Sequence, residues 1–526
     1  MKKHLFKSRL LSSIIFFVLV MTFASCGNED VVQNSTKIED DKDTKLTSFV
    51  AVSEVKSNTS LDYNTGNSYW NPSDYIYVKD DDGILQKSSN APTSKVASFE
   101  YKVPGKFTRG TSYTIYYLGK ISNGSQVTIP SVQTQIVPNN SDHFGVSGNY
   151  GLAIATKVKD KRKFTFSIEY QVSYLVFQPY TSDKILQNCY LTKVEVSSDN
   201  NIAETYTFNP STGKLTGSLG SKQIVLETGG SSSNPNGFPL NNSAASVKSN
   251  GAYMIIKSGA HCLRVRYWIK EVATNVEGTI TKLYASTLYA SNTYYNMTDN
   301  LNERNYDGDN YYMWDAQQQY WYGYEWSKKV LNGQPTLNSN LPGSTISNAY
   351  AQNNRDPRYY NEGNALGGLT ATHSCTILPN ANEMSWYCMY GNPYWDAEEL
   401  WTTMGHLYKG GIWLKKKSVL TAEGHYSTEN SADGSTDLRI TYKYYKNNTI
   451  NYGTPSVADA NNYFYLPALG YYQSGQLYNV GIYGVYWTSS AYPWYRTHAY
   501  RLHFGSGYAD VGNNFRYLGF KLEIFK

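Results

Sequence analysis

The chain has 526 residues, enough for roughly three domains of ~150 residues each. Its hydrophobic fraction is 40%, its aromatic fraction 15% and its charged fraction 17%, with 50 tyrosines; such a chain can fold, because tyrosine buries a large area and still offers a hydroxyl. The formal charge of +5 includes Lys2, Lys3, Lys7 and Arg9, which lie in a segment expected to be removed, leaving a mature chain near +1. That balance gives no electrostatic reason to expect nucleic acid as a partner.

A basic start is followed by the apolar run Ile14 to Met21 and then Phe23-Ala24-Ser25-Cys26. That order is a basic region, an apolar region and small residues before a cleavage point. The cysteine directly after the small residues resembles the bacterial lipobox. The resemblance implies that residues 1–25 are a lipoprotein signal peptide and that Cys26 carries lipid, so the partner at this end is a membrane. Two or three acyl chains hold a protein on a bilayer far better than one. Gly27-Asn28-Glu29-Asp30 resembles the export signal that sends Bacteroidota lipoproteins to the outer face, implying an outer-membrane lipoprotein displayed at the cell surface. No later run approaches the ~18 apolar residues that a spanning helix needs. Residues 26–45 are polar and charged and read as a tether, too poor in apolar residues to pack.

Four cysteines remain, Cys189, Cys262, Cys375 and Cys388. Export permits disulfides. The spacing favours Cys375–Cys388 within one domain and Cys189–Cys262 within another; the alternative is four buried free thiols. None of the spacings fits a zinc site.

From Leu46 to about Asn300 short apolar runs alternate with Gly, Asn, Ser and Pro clusters, among them SFVAVSEV, SYTIYYLG, VSYLVFQPY, LTKVEVSS and CLRVRYWIKEV. Long helical periodicity is missing, and the pattern predicts one or two β-sandwiches, over 46–185 and 186–300. The composition then shifts. Residues 301–526 hold 30 of the 50 tyrosines and nine of the 11 tryptophans. A helix is predicted over Asn380–Cys388, with Asn380 or Asn382 as its cap and Glu383 in its first turn. A second helix is predicted from Asp396 to a stop at Gly410-Gly411. Late strands follow, in which Tyr500, Leu502 and Phe504 share one face, as do Phe520, Leu522 and Ile524. This third region, 301–526, reads as α+β.

Residues 46–300 resemble the fimbrillin family of Bacteroidales pilus subunits. The features are the lipobox, then TSFVAV, then Trp70-Asn71-Pro72-Ser73-Asp74 leading into a strand, Phe107 to Tyr113, and Phe208 to Leu215. The resemblance implies two transthyretin-like sandwiches. It also implies assembly by strand exchange, in which a removed first strand opens a groove for a stalk subunit's donor strand. Family members are often cut after an arginine near that strand, whereas the first arginine after Cys26 is Arg109, and only lysines such as Lys45 and Lys56 lie nearby. Stalk subunits keep a spare donor strand, and here a whole extra domain follows. A subunit that accepts a strand and donates none belongs at the tip of a fimbrium.

The third region resembles the C-type-lectin-like fold, in the bacterial branch that includes formylglycine-generating-enzyme relatives. The matching stretches are Leu378 to Glu383, Tyr465 to Tyr471, Tyr486-Trp487-Thr488-Ser489-Ser490 and Gly519-Phe520-Lys521-Leu522. Leu466, Trp487, Leu502, Phe504 and Phe520 are expected core. Between Tyr483 and Tyr517 the chain also resembles the retroelement-diversified branch of that fold, with polar and aromatic residues set on an apolar frame. The expected ligand-binding residues are Tyr492, Trp494, Tyr495, Arg496, His498, His503, Tyr508, Asn513, Asn514 and Tyr517, on one surface, for a protein or glycan ligand; Ser506 and Asp510 interrupt the same frame.

Catalytic patterns do not emerge. The eight histidines are scattered without HExxH, no GxSxG, P-loop or strand-linked GxGxxG occurs, and Asp307-Gly308-Asp309 reads as a turn. The EPN, QPD and WND lectin motifs are missing from the third region, and no cysteine follows Cys388, against the sulfatase-oxidising activity of the relatives. The expectation is a pilus tip adhesin with no enzymatic activity, cofactor or metal. The competing readings are a free surface lipoprotein that captures glycan and an enzyme of the formylglycine-generating type.

Overall fold

The computed structural model describes residues 46–52, 60–61, 68–120, 124–209, 212, 214–302, 305–306, 310–335, 346–363 and 370–525. The expected signal peptide, Cys26, the expected tether and Asp307-Gly308-Asp309 lie outside them. The described chain is mostly β-sheet with few helices.

The first unit is one hydrogen-bonded path of strands running Leu85–Lys87, Tyr77–Lys79, Ser112–Tyr117, Gly151–Lys157, Lys163–Phe166, Leu46–Ala51 and Phe99–Pro104. Its core is aromatic. The fully buried Trp70 ring meets Tyr101, Tyr117 and Phe166 edge-on at 5.4–6.3 Å. The Trp-turn-Asp stretch has a local cause. Asp74, also fully buried, accepts from its own turn at Asn71 N (2.6 Å) and from the Tyr117 hydroxyl (3.1 Å), so one carboxylate closes the turn and ties it to a core strand.

Strand pairing crosses the boundary expected at residue 185. Gln126–Ile129 pairs with Ala203–Asn209, Val132–Thr134 with Gln223–Glu227, and Val172–Phe177 with Ala252–Lys257 and Thr293–Met297. The changeover between units therefore falls near residue 171, and a segment of the first region is threaded into the second. Two glutamines of that segment close a sheet edge. Gln133 bonds both backbone groups of Ile255 (2.7 and 3.0 Å), and Gln135 bonds Gly251 O and Tyr253 N (2.8 and 2.7 Å). Such side-chain pairing blunts an edge that would otherwise offer itself to another chain.

Beside this edge, His143 Nε2 lies 3.0 Å from Tyr253 O, while its buried Nδ1 has no partner. Burial pushes its pKa down to about 4. The unfolded chain takes up this proton near the ordinary value of ~6.5, so stability falls as pH drops from about 6.5 towards 4. His143→Gln removes the titration, and its melting temperature should fall less than the wild type's across that window; equal slopes would show that His143 does not titrate there.

The expected boundary near residue 300 is also bridged. A ten-stranded sheet passes from the second unit into the third, where Glu277–Tyr289 meets Tyr394–Thr403 in parallel at Thr279 and Glu399. Arg266 spans the join. Its Nη2 bonds both Asp396 oxygens (2.9 and 3.1 Å) and Thr279 Oγ1 (2.6 Å), with Glu399 Oε2 3.9 Å away. The second and third units therefore share a sheet and a buried ion cluster.

The helix predicted over Asn380–Cys388 forms as Ala381–Tyr390, with a full capping box between Asn380 and Glu383. The second predicted helix is instead a hairpin, Tyr394–Thr403 with His406–Lys415. Met404 (φ 46°) and Gly405 (φ 77°) make its turn, and both central residues at positive φ twist the strands together. Gly411 does not stop a helix; a Cβ there would lie 2.4 Å from Leu466 O on the neighbouring strand. The expected disulfides are likewise corrected, since all four described cysteines are free. Cys189 pairs in register with Glu271, nine residues along the strand from Cys262, a separation of ~30 Å at strand rise. Cys375 and Cys388 lie in different core clusters, Cys375 Sγ beside Asp315 N (3.2 Å) and Cys388 Sγ beside Ala509 O (3.3 Å).

Candidate binding surface

Strands Gly484–Ala491, His498–Phe504 and Ala509–Phe515 are consecutive in a six-stranded antiparallel-rich sheet. Side chains alternate across it. Tyr486, Tyr500, Leu502, Phe504 and Val511 face the helix Ala381–Tyr390 in one core; Val485, Trp487 and Ala499 face Trp314, Leu518 and Phe520 in another. The predicted core residues Leu466, Trp487, Leu502, Phe504 and Phe520 are all buried.

The register pairs His503 with Asp510, Arg501 with Gly512 and Ala499 with Asn514. Arg501, His503, Asp510 and Asn514 consequently share the face away from the helix. Arg501 Nη1 pairs with Asp510 Oδ1, and His503 Nδ1 lies 3.3 Å from Asp510 Oδ2. Burial pushes the Asp510 carboxyl up, but His503 and Arg501 together outweigh it and hold its pKa below the ordinary value. Asp510 is therefore an internal counter-ion that fixes two side chains and is not itself offered to a ligand. A cavity of about 300 Å³ opens on this face, lined by Tyr471, Arg501, His503, Asn514, Tyr517 and Phe520 among others. Tyr508 packs beside His503, its hydroxyl 3.5 Å from the ring nitrogens.

At the end of the same sheet an aromatic stripe continues from the groove. Tyr517 stacks on Phe515 (5.1 Å), Phe515 meets His498 (4.3 Å), and His498 meets Tyr495 (5.6 Å). Trp494 is 53% exposed and Tyr495 59%, with Arg496 exposed between them and the strand. The loop beneath is tied to a buried arginine. Arg516, wholly buried, donates to His498 O and Asn361 O (2.9 Å each), with its guanidinium over the Trp314 ring. Burial depresses its pKa to about 10.

The structure thus brings together eight of the ten expected ligand-binding residues: Trp494, Tyr495, Arg496, His498, His503, Tyr508, Asn514 and Tyr517. It separates two. Tyr492 is only 4% exposed and packs under the stripe against Tyr442, Tyr495 and Tyr500. Asn513 pairs with Tyr500 within the strands and so takes the helix side of the sheet, opposite Asn514; His498 and Phe515 fall on that same side but at the strand ends, where their rings join the stripe. Phe515, 42% exposed at the centre of the stripe, was missed because an apolar residue in a strand reads as frame; nothing in the sequence separates it from its buried neighbours. Among the described residues no group of three His, Cys, Asp or Glu side chains could hold a metal ion, and no helix is long and apolar enough to cross a membrane.

No family model matches the sequence, and no curated protein does. Solved structures with some likeness are fimbrial and cell-adhesion proteins. A candidate cell adhesion protein from Bacteroides ovatus is 14% identical, over 48% of this chain and 91% of that one, with a TM-score of 0.28. The fimbrial anchor protein Mfa2 from Porphyromonas gingivalis is 12% identical over 45% and 82%, with a TM-score of 0.20. A fimbrial protein from Bacteroides ovatus is 10% identical over 90% and 99%, with a TM-score of 0.21.

Proposed function

We propose that this chain is a non-catalytic adhesion subunit at the tip of a cell-surface pilus, lipidated on Cys26 before assembly. In this reading it accepts a stalk subunit's donor strand in place of Leu46–Ala51, and it binds an external protein or glycan through the aromatic stripe and groove of residues 483–517.

The placement of Leu46–Ala51 supports the reading best. This strand lies between Lys163–Phe166, to which it is parallel, and Phe99–Pro104, to which it is antiparallel. Thr47, Phe49 and Ala51 alternate into the core at 0–1% exposure, and Phe49 stacks on Phe164 at 5.0 Å. Withdrawing it leaves a slot with unpaired backbone on both sides and an apolar socket at every second position. That is a template for a strand from another chain, with main-chain bonds supplying affinity and the sockets supplying register. Lys56 lies just beyond the strand, so a cut after lysine would release it. The late strand Phe520–Lys521 is held inside its own sheet, between Tyr311–Tyr312 and Gly484–Ala491, and is not available to donate.

The test is direct. A chain beginning at residue 57 should bind a labelled peptide of residues 46–52, whereas the same peptide with Phe49→Asp should not, and the uncut chain should bind neither. Absence of binding to the shortened, folded chain would overturn strand acceptance. Independently, Cys26→Ala should leave an unprocessed or mislocalised precursor in fractionated cells; normal processing and surface yield would exclude the lipid anchor.

A further inference from the structure

A further cavity lies away from the recognition stripe, where the second unit meets the hairpin Tyr394–Thr403 with His406–Lys415. It measures about 440 Å³, within the range of small-ligand pockets. One wall is Trp268 with the turn Asn275-Val276-Glu277; the other is Glu398, Tyr408 and Lys409, above Leu407. We propose that this cleft is a second binding site and that it takes an uncharged pyranose unit.

Three observations carry the assignment. Both walls present aromatic rings that are held from behind. Tyr408 stacks on the buried Trp401 at 5.4 Å and 22°, and the Lys193 ammonium sits 3.8 Å over the Trp268 ring. Rings fixed in this way offer flat apolar faces to the C–H face of a sugar at little entropic cost. The one cation of the lining is already matched. Lys409 pairs with Glu398 at 2.7 Å, and Glu277 accepts from Thr192 Oγ1 at 2.6 Å. An anionic ligand would meet no free cation, which disfavours phosphate, sulfate and acidic sugars alike. The polar groups at the rim are two carboxylates, an ammonium, an amide from Asn275 and the Tyr408 hydroxyl, a mixture of donors and acceptors suited to several hydroxyls at once. The walls come from residues 268–277 and 398–409, so the site exists only while the two units remain docked.

The experiment uses the full chain and saturation-transfer difference NMR, with methyl mannoside, methyl galactoside and N-acetylglucosamine as probes. At least one should bind at millimolar strength, with strongest transfer to its C–H face. Asn275→Ala and Lys409→Ala, both at the rim, and Trp268→Leu, in the wall, should each weaken it by about tenfold or more. Tyr495→Ala and Tyr517→Ala should leave it unchanged, which separates this site from the stripe. An oligosaccharide that binds more tightly than its monomer would assign the cleft to a glycan chain, and equal binding to a terminal or free sugar. No binding by any probe, or binding untouched by the rim variants, overturns the proposal.

Discussion

Arg266→Ala should lower the stability of the full chain by ~3–5 kcal/mol, because it leaves two carboxylates buried without their cation. The side chains of Arg266, Asp396 and Glu399 are 10%, 2% and 7% exposed. Asp396 keeps the Trp413 indole N–H at 3.2 Å, and Glu399 keeps Thr281 N and Oγ1 at 3.0 and 2.6 Å, but these neutral donors cannot replace a guanidinium. At the usual scaling for large domains the melting temperature should drop by on the order of 10 °C. Adding Asp396→Asn and Glu399→Gln to Arg266→Ala should recover part of the loss, since the orphaned charge is what costs. A drop below ~1 kcal/mol would mean that water already reaches the cluster. The same geometry bears on fragments. A piece beginning near residue 305 loses its sheet partner at Thr279, and Leu400 and Leu407, which pack into the core of the first two units, become exposed. Its melting should be less cooperative than that of the full chain.

The second large effect separates frame from recognition. Trp487 is fully buried, its ring 4.2 Å from Phe520, and its Nε1 donates to Tyr312 O at 2.8 Å. Trp487→Ala or Phe520→Ala should cost ~3–5 kcal/mol of stability, the range for a buried aromatic. Tyr495→Ala should leave melting nearly unchanged and weaken attachment of protein-bearing cells to their target by ~1–2 kcal/mol, as expected for an exposed tyrosine at a contact. Tyr508 is an intermediate case. Its ring packs on His503 at 5.3 Å and burial pushes its pKa up to about 12, so its replacement should affect both readouts. If Tyr495→Ala loses stability in step with attachment, the stripe is core and the proposed surface does not exist.

Much of this fold is legible in the sequence where the cause is local. The strands alternate, the helix announces itself through Asn380 and Glu383 three residues apart, and the aromatic frame residues are where the pattern puts them. The hairpin at 394–415 is not legible, for a physical reason. Leu400, Trp401, Met404, Leu407 and Tyr408 fall at spacings of three and four, which a helix satisfies as well as a twisted hairpin does. The deciding partners, Thr279 and Leu466, are distant in sequence. Its turn also places Met404 at positive φ, where no propensity would have put it. The proposed recognition surface is legible as composition, because tyrosine, histidine and arginine crowd into residues 483–517. Which side of the sheet each one takes depends on register, and a single step separates Asn513 from Asn514.

The continuous sheet across the second and third units has a mechanical consequence. A pull applied between the strand Leu46–Ala51 and the aromatic stripe would travel through paired strands and the Arg266 cluster at that join. In the proposed adhesin, a particle held at one end would therefore turn the other end with it, and under shear an inserted donor strand or the ligand contact would yield before the joint between the second and third units.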